Sequence, residues 1–207
     1  MRPLAALLAF LPVAAWGASA LDTLLQRLAR PAPSSTAFVE AHFSPLLTRP
    51  LVVSGRLEYL GPDALARDVE KPYRERAEIR GDTATVAREG EPAQSFALER
   101  APEMRGLLAS FTDLLGGNRA ALERAFRLDL HGSPSDWTLG LTPRDPRILE
   151  RIRSVVVSGR GAEPRCLTIF QANDDTTIML LADAASTALP AAPDRRWFDA
   201  QCRGQSG

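Results

Sequence analysis

The stretch PEMRGLLASFTDLLGG, residues 102–117, reads as a strongly amphipathic helix set between two runs of strand-like sequence. Met104, Leu107, Leu108, Phe111, Leu114 and Leu115 recur at steps of three and four, which places these large apolar side chains on one stripe. Pro102 suits a first helical turn, and Gly116-Gly117 supplies the stop. A lone helix over a sheet has two readings. It is either permanent core packing or a cover over a cavity whose contents change.

Outward from that helix, period-two segments separated by turn residues dominate. Before it come Thr36–Leu47, Leu51–Leu60, Leu65–Val69, Tyr73–Arg80, Thr83–Arg88 and Gln94–Glu99. After it come a short helix at Arg119–Ala125 capped by Asn118, then Phe126–Leu130, Asp136–Leu141, Ile152–Ser158, Cys166–Gln171 and Thr176–Leu181. Turn chemistry recurs at Gly61-Pro62-Asp63, Gly81-Asp82, His131-Gly132-Ser133-Pro134 and Asn173-Asp174-Asp175. The fold class predicted is α+β: a curved, largely antiparallel, half-open barrel of about eleven strands covered by short helices. In Tyr73–Arg80 one face carries Tyr73, Glu75, Ala77 and Ile79, and the other Arg74, Arg76, Glu78 and Arg80. In Leu51–Tyr59 one face carries Leu51, Val53, Gly55, Leu57 and Tyr59. Such alternation predicts a single apolar interior, with Leu21, Leu24, Leu25 and Leu28 as a second helical stripe to cover it. The pentapeptide Val-Ser-Gly-Arg with a leading Val occurs at Val52–Arg56 and again at Val156–Arg160. A glycine there marks a bend or bulge rather than a repeat.

The N-terminus predicts export. Met1-Arg2 is followed by an apolar run, Leu4 to Trp16, too short for a bilayer that needs about 20 residues. Ala18-Ser19-Ala20 reads as a cleavage site, so residues 1–20 are expected to be a leader and residues 21–207 a single mature domain in the periplasm. No cysteine near Ala20 offers itself for acylation, so the expected product is soluble and monomeric. Lys+Arg and Asp+Glu number 25 each, which gives no support for nucleic-acid binding or for a membrane held by charge alone. In an oxidising compartment, Cys166 and Cys202 are expected to form a disulfide; two buried thiols are the other reading.

Catalytic signatures are not found: there is no G-x-S-x-G, H-E-x-x-H, Walker loop or G-x-G-x-x-G. The expectation is therefore a non-enzyme without cofactor or metal. His42 and His131 read as surface or rim residues. Trp137 reads as core or as cavity lining, and Trp197-Phe198 as packing beside Cys202. Arginine supplies all the basic residues but Lys71. Arg67, Arg74 and Arg76 are either rim groups for an anionic headgroup or part of a solvated face paired with Asp68, Glu75 and Glu78.

Three segments carry a resemblance. The opening helix, then Phe38-Val39-Glu40-Ala41-His42-Phe43, then Ser54-Gly55-Arg56-Leu57-Glu58-Tyr59-Leu60-Gly61-Pro62, is similar to the start of the LolA family of periplasmic lipoprotein carriers. The similarity continues through Lys71-Pro72, Ile79–Thr83, Phe126–Leu130, Trp137–Pro143 and Ile152–Gly159, and resembles most the divergent LolA-related branch. It implies an apolar cavity for acyl chains under a helical lid, lined by Met104, Leu107, Leu108, Phe111, Leu114, Leu115, Leu57, Tyr59 and Trp137. It further implies a carrier role for acylated or polyene-type lipid, or for lipoprotein acyl chains, between an inner-membrane donor and an outer-membrane acceptor. Gly61 stands where the carriers have a latch arginine before the proline, so the latch is either missing or replaced by an arginine elsewhere such as Arg67. A sensor or interaction module that binds a membrane-protein partner is the alternative function.

Overall fold

The computed structural model describes residues 19–100 and 111–204. Met104, Leu107, Leu108 and most of the leader fall outside them. Eleven antiparallel strands form one sheet: β1 Ser34–Phe43, β2 Leu51–Gly61, β3 Ala64–Lys71, β4 Glu75–Arg80, β5 Thr83–Arg88, β6 Gln94–Ala97, β7 Phe126–Ser133, β8 Asp136–Pro143, β9 Ile152–Arg160, β10 Glu163–Gln171 and β11 Thr176–Leu181. Each corresponds to a predicted strand. Their order is β6-β5-β4-β3-β2-β1-β11-β10-β9-β8-β7. Consecutive hairpins thus build two wings, joined where β1 pairs with β11. The edge strands β6 and β7 are neighbours in sequence and do not pair. The sheet is therefore a half-open barrel, and the chain from 98 to 125 connects its two free edges.

Helices occupy the inner face. α1 (Ala20–Leu28) buries Leu24, Leu25 and Leu28. Residues 111–115, called α2 here, bury Leu114 and half-bury Phe111 and Leu115. α3 (Arg119–Ala125) buries Leu122, and Asn118 Oδ1 caps it by accepting from the Ala121 N–H (3.3 Å). All of these side chains but Leu115 form one cluster with Phe38, Val53, Val69, Phe126, Trp137, Leu139, Leu141, Val155, Val157, Leu167, Met179 and Leu181. Both predicted stripes therefore cover the sheet over the described residues. Gly117, at φ 69°, adopts the left-handed conformation that ends α2.

One expectation is corrected. The sheet does not have a single apolar interior. Its central strands β1, β10 and β11 bury both faces, and a second cluster of Val39, Ala41, Cys166, Ile178, Leu180, Ala184 and Phe198 lies on the outer side. α5 (Ala182–Ala185) and α6 (Arg195–Cys202) cover it, with Phe43 and Trp197 each edge-on to Phe198. Neither helix is evident in the apolar periodicity of the tail, and the short α4 (Pro146–Leu149) is likewise additional. Ala20 is the first residue of α1, and Ser19 caps the helix through a reciprocal capping box with Asp22. Cleavage after Ala20 would remove that cap.

Cys166 and Cys202 are disulfide-bonded and join β10 to the end of α6. Arg165 and Arg160 donate to the carbonyls of Gln201 (3.3 Å) and Arg203 (3.1 Å), which satisfies acceptors at the same helix end.

Candidate functional site

The inner face is built from alternate residues of every strand, so its chemistry follows from register. Phe38 and Glu40 of β1 stand beside Gly55 and Val53 of β2. Leu57 and Tyr59 stand beside Arg67 and Leu65 of β3, which in turn face Ala77 and Ile79 of β4. Leu57 is half-buried against the main cluster, and Tyr59 is buried. Over most of its area this surface is hydrocarbon.

One polar chain crosses it. Arg67 Nη2 donates to Glu40 Oε1 at 2.9 Å, its Nη1 lies 3.9 Å from Glu75 Oε1, and its guanidinium lies 5.0 Å from the Phe38 ring centroid. Glu75 also accepts from Arg88 Nε (3.0 Å), whose guanidinium stands over the Tyr73 ring. Two carboxylates and two guanidiniums thus balance in charge and hold one another in place. Arg67 is the inward-facing member of the predicted arginine trio. Arg76 is on the outer face, in a network with Glu58 (3.0 Å), Asp68 and Glu78 (2.9 Å). Arg74 precedes β4 and is exposed. Sequence reasoning missed Glu40 and Arg88 as partners, although Glu40 alternates with Phe38 and Arg67 with Leu65 and Val69.

The helical cover is tied together by polar contacts at its margin. Arg119 Nη1 donates to Asp22 Oδ2 (2.9 Å) and Ser19 Oγ (2.7 Å), linking α3 to the start of α1. At the other end of α1 the Arg30 N–H donates to the Leu115 carbonyl (2.9 Å). Arg144 Nε donates to the carbonyls of Glu123 (2.9 Å) and Phe126 (3.1 Å), where α3 enters β7. The Ser19 hydroxyl, and then the Arg119 guanidinium, hold the Asp22 carboxyl below the ordinary carboxylate value. Burial pushes Asp113 of α2 the other way, raising it.

These shifts carry a pH prediction. A depressed folded-state value means that the fold prefers charged Asp22. Its contribution is complete above the ordinary carboxylate range and is lost as pH falls through the depressed value. Urea unfolding followed against pH is expected to show stability falling on acidification, with a shallower fall in Asp22→Asn. An equally steep fall in that variant would separate the α1–α3 tie from acid lability.

A cavity of about 170 Å³ lies between α1 and the β7–β8 hairpin. Trp137, Leu24 and Leu130 form its apolar wall, and Arg27 and His131 are at its lining too. Trp137 is 2 % exposed, and its Nε1 donates to the Gly161 carbonyl (3.1 Å), so it is both core and cavity wall. His131 lies 2.9 Å from Asp129 in solvent. His42 sits far from it, between Thr177 Oγ1 (3.2 Å) and Asp175 (3.3 Å) at the β10–β11 turn. Among the described residues no three His, Cys, Asp or Glu side chains gather as a metal site, and no helix is long and apolar enough to cross a membrane.

A barrel open along one side, with its hydrocarbon face under a helical cover, agrees with one family by sequence. The model of the outer membrane lipoprotein carrier protein LolA-like family matches residues 13–204. The chain belongs to the LolA-like family. Members of that family are periplasmic and generally bind lipids or lipoproteins. Among solved structures this LolA-like chain is similar to a LolA superfamily protein of Nitrosomonas europaea (10% identity, TM-score 0.46, 80% of this chain and 93% of that one). It is also similar to a DUF1329 family protein of Desulfovibrio piger (8%, TM-score 0.34, 79% and 89%). A third similarity is to a chain of the MucA/MucB complex of Pseudomonas aeruginosa (14%, TM-score 0.33, 89% and 62%). No curated protein matches this LolA-like chain.

Proposed function

We propose that the protein carries an acylated or polyene-type lipid across the periplasm, holding the hydrocarbon against the inner face of the sheet beneath α1 and α2. One observation supports this above others. Leucines of α1, α2 and α3 share one cluster with inner-face residues of β1, β2, β3 and β7–β11, and they are held to the sheet by side-chain packing and not by strand pairing. Side-chain packing can be exchanged for lipid methylenes at little net cost, whereas a strand ladder cannot.

Magnitudes favour such an exchange. Each methylene taken from water contributes about 0.8 kcal/mol, so a 14-carbon chain offers on the order of 10 kcal/mol before ordering costs. Ligand sites for molecules of that size occupy roughly 300–1,000 Å³. The cavity beside Trp137 is smaller, at about 170 Å³. It accepts a chain end, and a whole chain requires the cover to withdraw. Leucines that refill the site then offset part of the burial energy and permit release. Arg67, already inside the face, is the group placed to meet a polar head.

Mass spectrometry of protein purified from its native periplasm, together with titration by a fluorescent fatty acid, tests the reading. Co-purifying lipid and saturable uptake that perturbs Trp137 fluorescence are expected. Neither lipid nor uptake would remove it. The small cavity is the observation that favours a sensor or interaction module instead, and a stable one-to-one protein complex with that cavity still empty would establish the alternative. Lipoprotein transport proper would require this chain to rescue a carrier-depleted cell.

A further inference from the structure

We propose that the end of the sheet formed by the β1–β2 and β3–β4 turns docks on an anionic lipid bilayer. The β1–β2 turn, Ser44-Pro45-Leu46-Leu47-Thr48-Arg49-Pro50, presents Leu46 at 93 % exposure and Leu47 at 47 %, and Leu51 follows at 51 %. The β3–β4 turn carries exposed Tyr73 and lies alongside, because Ser54 of β2 pairs with Lys71. Folding does not require leucines at such a tip, since nothing is gained by holding them in water.

The turn is also preorganised. The Leu47 N–H donates to the Ser44 carbonyl (3.0 Å), the Leu46 N–H donates to Ser44 Oγ (3.3 Å), and prolines flank the segment at positions 45 and 50. Inserting the leucines therefore orders little that is not already ordered.

Charge selects the partner. Arg49, Lys71 and Arg74 stand among these apolar side chains, and neither turn contains an acid. None of the three has an ion-pair partner among the described residues. The acids nearest in sequence and fold are Glu70, Glu75, Glu89 and Asp175; Glu75 is engaged by Arg88 and Arg67, and Asp175 by Asn173 and His42. Apolar tips with an aromatic beside them and basic residues around them fit the interface of an anionic bilayer. They project from two separate turns and form no groove, so a surface that needs no shape match suits them better than a folded protein does.

This surface is independent of the cargo, and cargo-free protein reads it alone. The test is flotation with vesicles of phosphatidylglycerol and phosphatidylethanolamine, compared with vesicles of phosphatidylcholine, at low and high salt. The protein is expected to float with the anionic vesicles and to be released by salt. L46S/L47S is expected to weaken binding at least about tenfold, and R49S/K71S/R74S about fivefold for each basic residue lost. Urea unfolding of both variants should match the parent, since every altered side chain is exposed. No flotation of the parent overturns the proposal. So does unchanged flotation of L46S/L47S, or binding seen only when the vesicles contain a membrane protein.

Discussion

Replacing Cys166 and Cys202 together by alanine lowers the unfolding free energy by about 4 kcal/mol, the loop-closure value for a bridge of this span. At this chain length that corresponds to a fall in Tm of roughly 8–16 °C. The two cysteines are 36 residues apart, and the loop they close contains β11, α5 and all but the end of α6. Alanine is the informative replacement, because Cys166 is buried in the outer cluster and a serine hydroxyl there would add a desolvation cost of its own. The effect extends past chain entropy. α6 holds Phe198 against Val39, Ile178 and Leu180 of the central strands, and the bridge keeps it there. Limited proteolysis should cut the 186–194 segment sooner in the variant. Fatty-acid uptake should persist, since the bridge lies on the opposite side of the sheet from the proposed lipid surface. A loss under about 1 kcal/mol would mean that Phe198 packing and the Arg160 and Arg165 contacts already hold the tail without the covalent link.

Gly55→Ala and Gly159→Ala are each expected to destabilise the fold by about 2–4 kcal/mol, at the upper end for overpacking. The two glycines occupy the same place in the repeated pentapeptide and do the same physical job. Gly55 pairs with Val69 while Ser54 pairs with Lys71, leaving Glu70 as the extra residue of a bulge. Gly159 pairs with Pro164 while Ser158 pairs with Cys166, leaving Arg165 as the extra residue. At each bulge the partner strand comes too close for a side chain. A β-carbon on Gly55 would lie 1.8 Å from the Asp68 carbonyl oxygen. One on Gly159 would lie 2.2 Å from the Glu163 carbonyl oxygen and 2.4 Å from Trp137 Cζ2. Backbone cannot yield as a side chain does, so the bulge itself must open. Gly140→Ala is the control: its β-carbon would meet nothing closer than 3.6 Å, and the change in stability should stay within about 0.5 kcal/mol. Equal effects at all three positions in urea unfolding would show that strand propensity, and not close approach, governs these sites. Gly159→Ala should further alter fatty-acid uptake, because it displaces the indole that walls the cavity.

Much of this architecture was legible in the chain. Strand side chains alternate whatever they pack against, so Val53, Leu57 and Tyr59 could be assigned to one side before any partner was known. The α1 leucines were placed in the same way by helical period. Legibility failed where a signal was present and overridden. The run Ile178-Met179-Leu180-Leu181 does not alternate, and a continuous apolar strand marks burial on both faces. The helices that supply its outer cover are short; Trp197-Phe198 was legible as packing beside Cys202, but neither helix has an apolar period long enough to announce a second layer.

Local stereochemistry, acting over a few residues, wrote the strands, the turns and the amphipathic helices into the order of amino acids. Distance in the chain hid the rest: that β1 lies against β11, that Arg67 meets Glu40 and Glu75, and that Arg119 reaches back to Asp22. Those partnerships are chosen when segments far apart compete to bury the same surface. Their outcome depends on the packing of the whole molecule and not on the neighbourhood of any one residue.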